Sequence, residues 1–259
     1  MDLGISGRKA IVCASSEGLG KGCAIALAEA GCEVIINART AETVEATVAE
    51  ISEATGARVT GVAGDVSTHE AQKALLDACP EPDILINNNG GPPRKNWDEL
   101  DRQAILDGGV QNMVTPIELI QAAAPGMAER GFGRIVNITS LSVLMPIEGL
   151  DLSSGARAGL PAILAGVRPL YAGRNVTINN VLPGKMDTKR LRGGITAGAK
   201  AAGIDFDEAA QKQIAEIPAG RFGTAEEFGN TCAFLCSTHG GYITGQNILI
   251  DGGLFPHAF

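Results

Sequence analysis

Three side chains able to act on a bound molecule stand near the middle of the chain: Ser140, Ser153 thirteen residues on, and Arg157 four beyond that. Residues four apart share one face of a helix, so Ser153 and Arg157 can meet. A serine hydroxyl is a weak acid of short reach. Arginine stays protonated, so it can supply a field and hydrogen bonds but cannot pass a proton onward. Ser142, Glu148 and Asp151 lie in the same stretch as further candidate acids, and no spacing rule chooses among them. A second kind of chemistry is written near the N-terminus, in Ala14-Ser15-Ser16-Glu17-Gly18-Leu19-Gly20. Placed between a strand and a helix, such a turn lets backbone N–H groups approach a pyrophosphate at the helix N-terminus, where the dipole favours anions.

The elements that must hold these residues alternate along the chain. Apolar runs at Lys9–Ala14, Glu33–Asn37, Val59–Ala63, Ile84–Asn87, Arg134–Thr139, Thr177–Leu182 and Ile248–Ile250 read as strands. Helical patterns separate them, the first from Leu19 to Ala30 closed by Gly31, the second over Ala41–Thr55 closed by Gly56. Continuous Val/Ile/Leu strands with helices between them predict an α/β protein whose parallel sheet is buried on both faces. No second composition regime interrupts the alternation, so residues 1–259 are expected to form a single domain.

Bulk properties narrow the function. A hydrophobic fraction of 45% allows a large core, and 34 glycines suit many strand-to-helix turns. The net charge of −8 argues against nucleic acid or an anionic membrane as partner. The one basic cluster, Lys185 to Arg192, is broken by Met186 and Asp187 and reads as a solvated loop rather than a site for an anionic substrate. Six cysteines form no C-x-x-C pair, no signal peptide precedes the first strand, and no apolar run is long enough to span a bilayer. That pattern predicts a cytoplasmic protein with reduced thiols serving as core fillers; Cys232 and Cys236, one helical turn apart, lack the further ligands a metal site needs.

With these motifs in order, the chain resembles the short-chain dehydrogenase/reductase family along nearly its whole length. The resemblance implies a Rossmann-like doubly wound sheet and a dinucleotide held by Ala14, Ser15, Ser16, Gly18, Leu19 and Gly20, with Ala14 replacing the first glycine of the turn. It assigns Asp65-Val66 to the adenine, and Asn88, Asn89 and Gly90 of the Asn87–Gly90 segment to the wall of the cofactor site. Pro183-Gly184 is placed beside the nicotinamide, and Thr188 at its carboxamide. Asp251-Gly252-Gly253 matches the family's closing turn. At the end of the second strand the resemblance puts Ala38 where an acid would grip a free ribose, with Arg39 next to pair with a phosphate. NADP(H) is therefore expected over NAD(H), although Glu17 stands where many NADP-preferring relatives carry a base.

On the reaction side the resemblance makes Ser140 the holder of a substrate oxygen and Asn112 the residue that positions a water. Pro116, four residues after Asn112, removes a backbone hydrogen bond and bends that helix, which can free a carbonyl nearby. Ser153 and Arg157 occupy the positions of the family's Tyr-x-x-x-Lys pair, in which the tyrosine gives a proton as hydride arrives. Tyr171 and Tyr242 align elsewhere. Three functions follow: an NADP(H)-dependent oxidoreductase with another group or water as acid, a lyase or hydrolase on the same fold, or a silent cofactor-binding protein. Leu152-Ser153 through Arg157-Ala158-Gly159 is similar to a branch often labelled 3-oxoacyl-carrier-protein reductase. The family also implies a homo-oligomer, dimer or tetramer, whose helix interface Pro161 disturbs, and a mobile lid over a small-molecule substrate at Leu191–Pro218. Gly193, Gly194, Gly198 and Gly203 would hinge that lid, and Phe206 as its only ring suggests a small or aliphatic substrate.

Overall fold

The computed structural model describes residues 1–95 and 97–256. Seven parallel strands form one sheet: β1 (Lys9–Val12), β2 (Glu33–Ala38), β3 (Val59–Ala63), β4 (Ile84–Asn87), β5 (Gly133–Ile138), β6 (Val176–Pro183) and β7 (Asn247–Ile250). Their spatial order is β3-β2-β1-β4-β5-β6-β7, so the winding reverses between β1 and β4. This is the expected Rossmann-like architecture, in which a crevice opens at the reversal beyond the carboxyl ends of the strands.

Alternation within each strand explains the two layers of core. Val12 and Ile36 point to one face, where α1 (Gly18–Glu29), α2 (Ala41–Thr55) and α10 (Ala225–Cys236) bury Leu27, Ile51 and Phe228. Ile11 and Ile35 point to the other, against Leu75 of α3 (His69–Ala78), Met127 of α5 (Thr115–Arg130) and Leu160 of α6 (Asp151–Ala165). The central strands β1, β2, β4, β5 and β6 are thus removed from water on both faces by helices, which is the main driving term for the fold. All six cysteines are buried and free, and burial pushes the Cys13 thiol up to about 12. They serve as filler, not as redox groups.

Polar groups also cross the sheet. Asn87 donates to Asn137, Asn137 to Asn180 and Asn180 to Asn247, at 2.9, 2.9 and 2.8 Å, linking β4 to β7 side chain by side chain. Asn137 and Asn180, both buried, each donate and accept within this row of amides, which ends at the exposed Asn247.

Between β4 and α5 lie α4 (Arg102–Gly109) and a π-helical turn, Val110–Val114, in which the Thr115 N–H donates to the carbonyl of Val110 five residues back. The remaining helices are α7 (Arg168–Ala172), α8 (Lys189–Ala202) and α9 (Phe206–Ala215). Side chains cap most helix starts: Thr40, Thr68, Asp101, Thr188, Asp205 and Thr224 accept from the first turns of α2, α3, α4, α8, α9 and α10.

Candidate active site

The strand carboxyl ends bring the motifs to one edge of the sheet. β1 stops at Val12 because Ala14 adopts φ 43°, turning the chain so that the Ser15 N–H reaches the Asn37 carbonyl and the Ala14 N–H reaches Asn37 Oδ1. Gly18 is also left-handed, at φ 57°. Gly20 passes so close to this turn that a Cβ there would lie 2.4 Å from the Ala14 carbonyl oxygen and 2.7 Å from Asn88 Nδ2. Asn88 Nδ2 donates to that same oxygen at 3.0 Å and fixes the turn against the end of β4. Glu17, which precedes α1, provides no side-chain cap, and the first turn of α1 carries no acid. The first-turn N–H groups therefore face outward with no cap from their own chain, at the positive end of a twelve-residue helix. An anion such as a pyrophosphate fits that cradle.

The other positions that the resemblance assigns to a cofactor divide into scaffold and rim. Ser15 is fully buried, and its hydroxyl is spent between the Val12 carbonyl and the Asn37 N–H, so its side chain faces inward. Ser16 and Leu19 are half-buried beside it. Asp65 is exposed and accepts from the Ser67 N–H through Oδ1, leaving Oδ2 toward solvent, while Val66 is buried in the core. Asn89 Nδ2 donates to Ser67 Oγ and to the Gln111 carbonyl. In the π register Pro116, which has no N–H, is the residue that would have paired with Gln111, so the proline opens the carbonyl that Asn89 takes. Gly90 is exposed beyond it. Gly184 must lack a side chain, since a Cβ would lie 2.6 Å from Asp251 Cβ, and its N–H donates to Ile250 as Pro183 leaves β6. Thr188 caps α8 and lies against Gly18, and Lys189 next to it pairs with Glu17 at 3.2 Å. Arg39 is exposed at the end of β2, and Ala38 before it is buried.

On the reaction side α6 does bring Ser153 and Arg157 together. Arg157 Nε donates to Ser153 Oγ at 3.1 Å, and Nη1 donates to the carbonyls of Ile138 at 2.5 Å and Thr139 at 3.1 Å. Arg157 is 8% exposed and Ser153 5%. Burial, and then the nearby charge of Arg190, hold the Arg157 guanidinium down to about 10. It is still a cation at neutral pH, and it ties α6 to the end of β5 where Ser140 follows. Asn112, buried in the π-helical turn, shares with Arg157 a cavity of about 20 Å³, large enough for one water. Asn87 and Thr115 line that cavity too, and neither Asn87 Oδ1 nor Thr115 Oγ1 has a protein partner. Ser140 is half-buried, and its Oγ accepts from the Ser142 N–H at 3.1 Å. No hydrogen bond joins Ser140 to Ser153 among the described residues.

Neither tyrosine can stand in. Tyr171 lies on α7, which leads into β6, and Tyr242 in the turn that leads into β7. Both sit at the amino edge of a parallel sheet, opposite Ser140. The segment over residues 191–218 is a pair of helices, α8 and α9. Gly193, Gly194 and Gly198 are interior to α8, and only Gly203, at φ 67°, ends a helix. Sequence had suggested hinges at all four.

The basic cluster resolves into unequal members. Lys185 pairs with Glu216, Lys189 with Glu17, and Arg192 with Asp187. Arg190 has no acidic partner among the described residues and was not singled out by its sequence context. The acids that neutralise its neighbours come from distant segments, so sequence could not show which cation would be left over.

Comparisons with known proteins agree with this geometry. A family model described as enoyl-(acyl carrier protein) reductase matches residues 13–255. The 3-oxoacyl-[acyl-carrier-protein] reductase FabG of Aquifex aeolicus is 32% identical, with 98% of this chain and 100% of that protein covered. The NADPH-dependent reductase BacG of Bacillus subtilis is 30% identical, covering 96% of this chain and 98% of its own. Among solved structures, L-sorbose reductase from Gluconobacter frateurii, complexed with NADPH and L-sorbose, superposes with a TM-score of 0.93 at 27% identity, covering 98% of each chain.

Proposed function

The chain belongs to the short-chain dehydrogenase/reductase family and is an oxidoreductase resembling the 3-oxoacyl-carrier-protein reductases, and on that premise we propose that it uses NADP(H) on a small carbonyl or alcohol substrate with Ser153 and Ser140 at the reacting oxygen. The observation that carries this reading is the bond from Arg157 Nε to Ser153 Oγ. Because the arginine donates, the serine's own hydrogen stays available, and the charge behind it strengthens that hydroxyl as a donor. Two hydroxyls and a buried cation then stabilise negative charge as it develops on the substrate oxygen. The bound cofactor supplies the hydride, and water supplies the proton, since arginine cannot relay one. Asn112 and Arg157, sharing the small cavity, are the residues that would hold such a water.

NADP(H) rather than NAD(H) is supported by Arg39, exposed with no acid at the end of β2 to grip a free ribose. Glu17, the residue expected to repel a ribose phosphate, has its charge offset by Lys189. Relatives that use NADPH by name point the same way. A hydrolytic role is disfavoured: Ser140 Oγ accepts from a backbone amide and Ser153 Oγ from a cation, and among the described residues neither serine is bonded to a base that could activate it. Apolar side chains exposed on α4 (Ile105, Leu106), α6 (Ile163) and α7 (Leu170) are compatible with self-association.

Calorimetric titration of cofactor-free protein with NADPH and with NADH tests the reading. NADPH is expected to bind at least tenfold more tightly, the factor that about 1.4 kcal/mol confers, followed by NADPH-dependent reduction in a carbonyl screen. Binding of neither nucleotide overturns it, and binding without turnover of any carbonyl returns the silent-binder alternative.

A further inference from the structure

Among the described residues nine lysine and arginine side chains pair with acids, including Arg8 with Asp83, Arg58 with Glu33, Arg192 with Asp187 and Arg221 with Glu227. At the mouth of the active-site crevice three arginines, Arg190, Arg94 and Arg157, lie without an ion pair among the described residues. Arg190, at the start of α8, lays its guanidinium on Gly91 so closely that a Cβ there would come within 2.4 Å of Nη2. Among the described residues its donors reach only the carbonyls of Gly91 and Pro92, at 3.3 and 3.4 Å, both long for charged donors. Arg94, three residues along the same loop, is exposed and packs its aliphatic stem over Gly149, where a Cβ would lie 3.7 Å from Arg94 Cβ. Glu148 and Asp151 flank that contact, yet neither pairs with Arg94. Arg157 lies beneath, buried, with carbonyl and hydroxyl acceptors only.

The three cations feel one another. The Arg94 charge adds to partial burial in lowering Arg190, and the Arg190 charge does the same to Arg157. Three like charges that influence one another, with no ion-paired carboxylate among the described residues, cost stability, and they stand on the segments that follow β4, β5 and β6. Charged residues that do not neutralise one another inside a crevice raise the local concentration of an opposite charge from solution.

We propose that the substrate is an oxyanion, a small molecule bearing a carboxylate or phosphate beside its reacting carbonyl or carbinol carbon, and that Arg190 and Arg94 hold that group across the mouth of the crevice. The planar fork of Arg190 offers two parallel donors to such a group, and its long bonds to Gly91 and Pro92 are weak enough to be exchanged. Arg157 contributes field from below and remains the partner of Ser153. The basic cluster is thus a solvated surface at Lys185, Lys189 and Arg192 and an anion site at Arg190.

The proposal rests on the reductase reading, and the test separates the two. The protein, saturated with NADP⁺, is titrated calorimetrically with acetoacetate, inorganic phosphate and, as a neutral control, ethyl acetoacetate; the free protein is titrated alongside. The anions are expected to bind the wild type more tightly than the ester, and Arg190→Met is expected to weaken them by about ten- to a hundredfold. Arg94→Met should weaken them less, and Arg190→Lys should retain the charge but lose part of the affinity. Preference for acetoacetate or for phosphate decides between the two oxyanions. Equal binding by wild type and Arg190→Met, or tighter binding of the ester, overturns the proposal. Weakened NADP⁺ with unchanged anion binding also overturns it and assigns Arg190 to the cofactor. If NADP⁺ does not bind at all, the reductase reading falls, while the titrations of the free protein still decide the arginine site.

Discussion

On the cofactor side of the sheet edge Ala14 stands where the family's turn begins with glycine, and the chain makes the turn regardless. Its φ of 43° is left-handed, a conformation that costs an alanine about 1–2 kcal/mol. Asn37 and Asn88 hold it there, through Asn37 Oδ1 on the Ala14 N–H and Asn88 Nδ2 on the Ala14 carbonyl. On the reaction side Ser153 and Arg157 stand where the family resemblance places a tyrosine and a lysine, and α6 runs continuously through them. The two substitutions are alike in leaving the backbone in place and opposite in consequence. A turn is a property of many atoms and can be restored by neighbours. A proton donor is one atom at one reach, and a serine hydroxyl with an arginine behind it is a different reagent from a tyrosine with a lysine.

The largest way to break this comparison is Ser153→Ala. If Ser153 stabilises charge on the substrate oxygen, kcat and kcat/KM should fall together by about 10²–10³, the effect of removing one such donor, with NADPH affinity unchanged. Steady-state kinetics with parallel calorimetry would check it. An unchanged kcat would make Ser153 merely a resting place for Arg157 Nε and leave Ser140 as the only hydroxyl at the site.

On the cofactor side the matching probe is Gly20→Val. The Ala14 turn survives because its neighbours can reach it, whereas at Gly20 the nearest atoms are the Ala14 carbonyl oxygen and Asn88 Nδ2, which are the restraints themselves. Overpacking of that order is expected to weaken NADPH by about ten- to a hundredfold. Retained affinity would mean that the turn shifts freely and that its restraints matter less than the comparison holds.

How much of this was legible in the sequence follows the same division. The central strands could be read because runs such as Val34-Ile35-Ile36 are buried on both faces, and no tertiary fact is needed to see that. The end of β1 could not, because it depends on Asn37, a residue on the next strand. Ser15 reads as a cofactor residue from its place in the turn, and only the structure shows its hydroxyl bonded inward. The link from Asn180 to Asn247 joins residues with no common motif, and the separate fate of Arg190 depends on acids up to 172 positions away, as with Glu17 and Lys189. Side-chain pairing across distant segments is what local pattern omits.

The smallest effect concerns α8, where sequence suggested hinges and the structure has a continuous helix. Gly193 and Gly194 are exposed, with no atom within 4 Å of where a Cβ would stand. Replacing either with alanine should therefore stabilise the helix by up to about 1 kcal/mol, raising Tm by about 2–4 °C in a chain of this size. The effect on turnover decides where the segment flexes. Only Ile195 and Ala199 of α8 are buried, so little anchors its middle. Its ends are another matter: Thr188 caps the start, and Gly203 at φ 67° turns the chain toward α9. If this segment flexes, a helix held in this way is expected to move as a body about its termini, with no bend from its interior glycines. Gly194→Ala is accordingly expected to raise Tm and leave kcat unchanged, while Gly203→Ala, strained in its left-handed conformation, lowers both. A fall in kcat for Gly194→Ala would place the bend inside α8, four residues after Arg190, and make the approach of that arginine to its ligand depend on the helix breaking there.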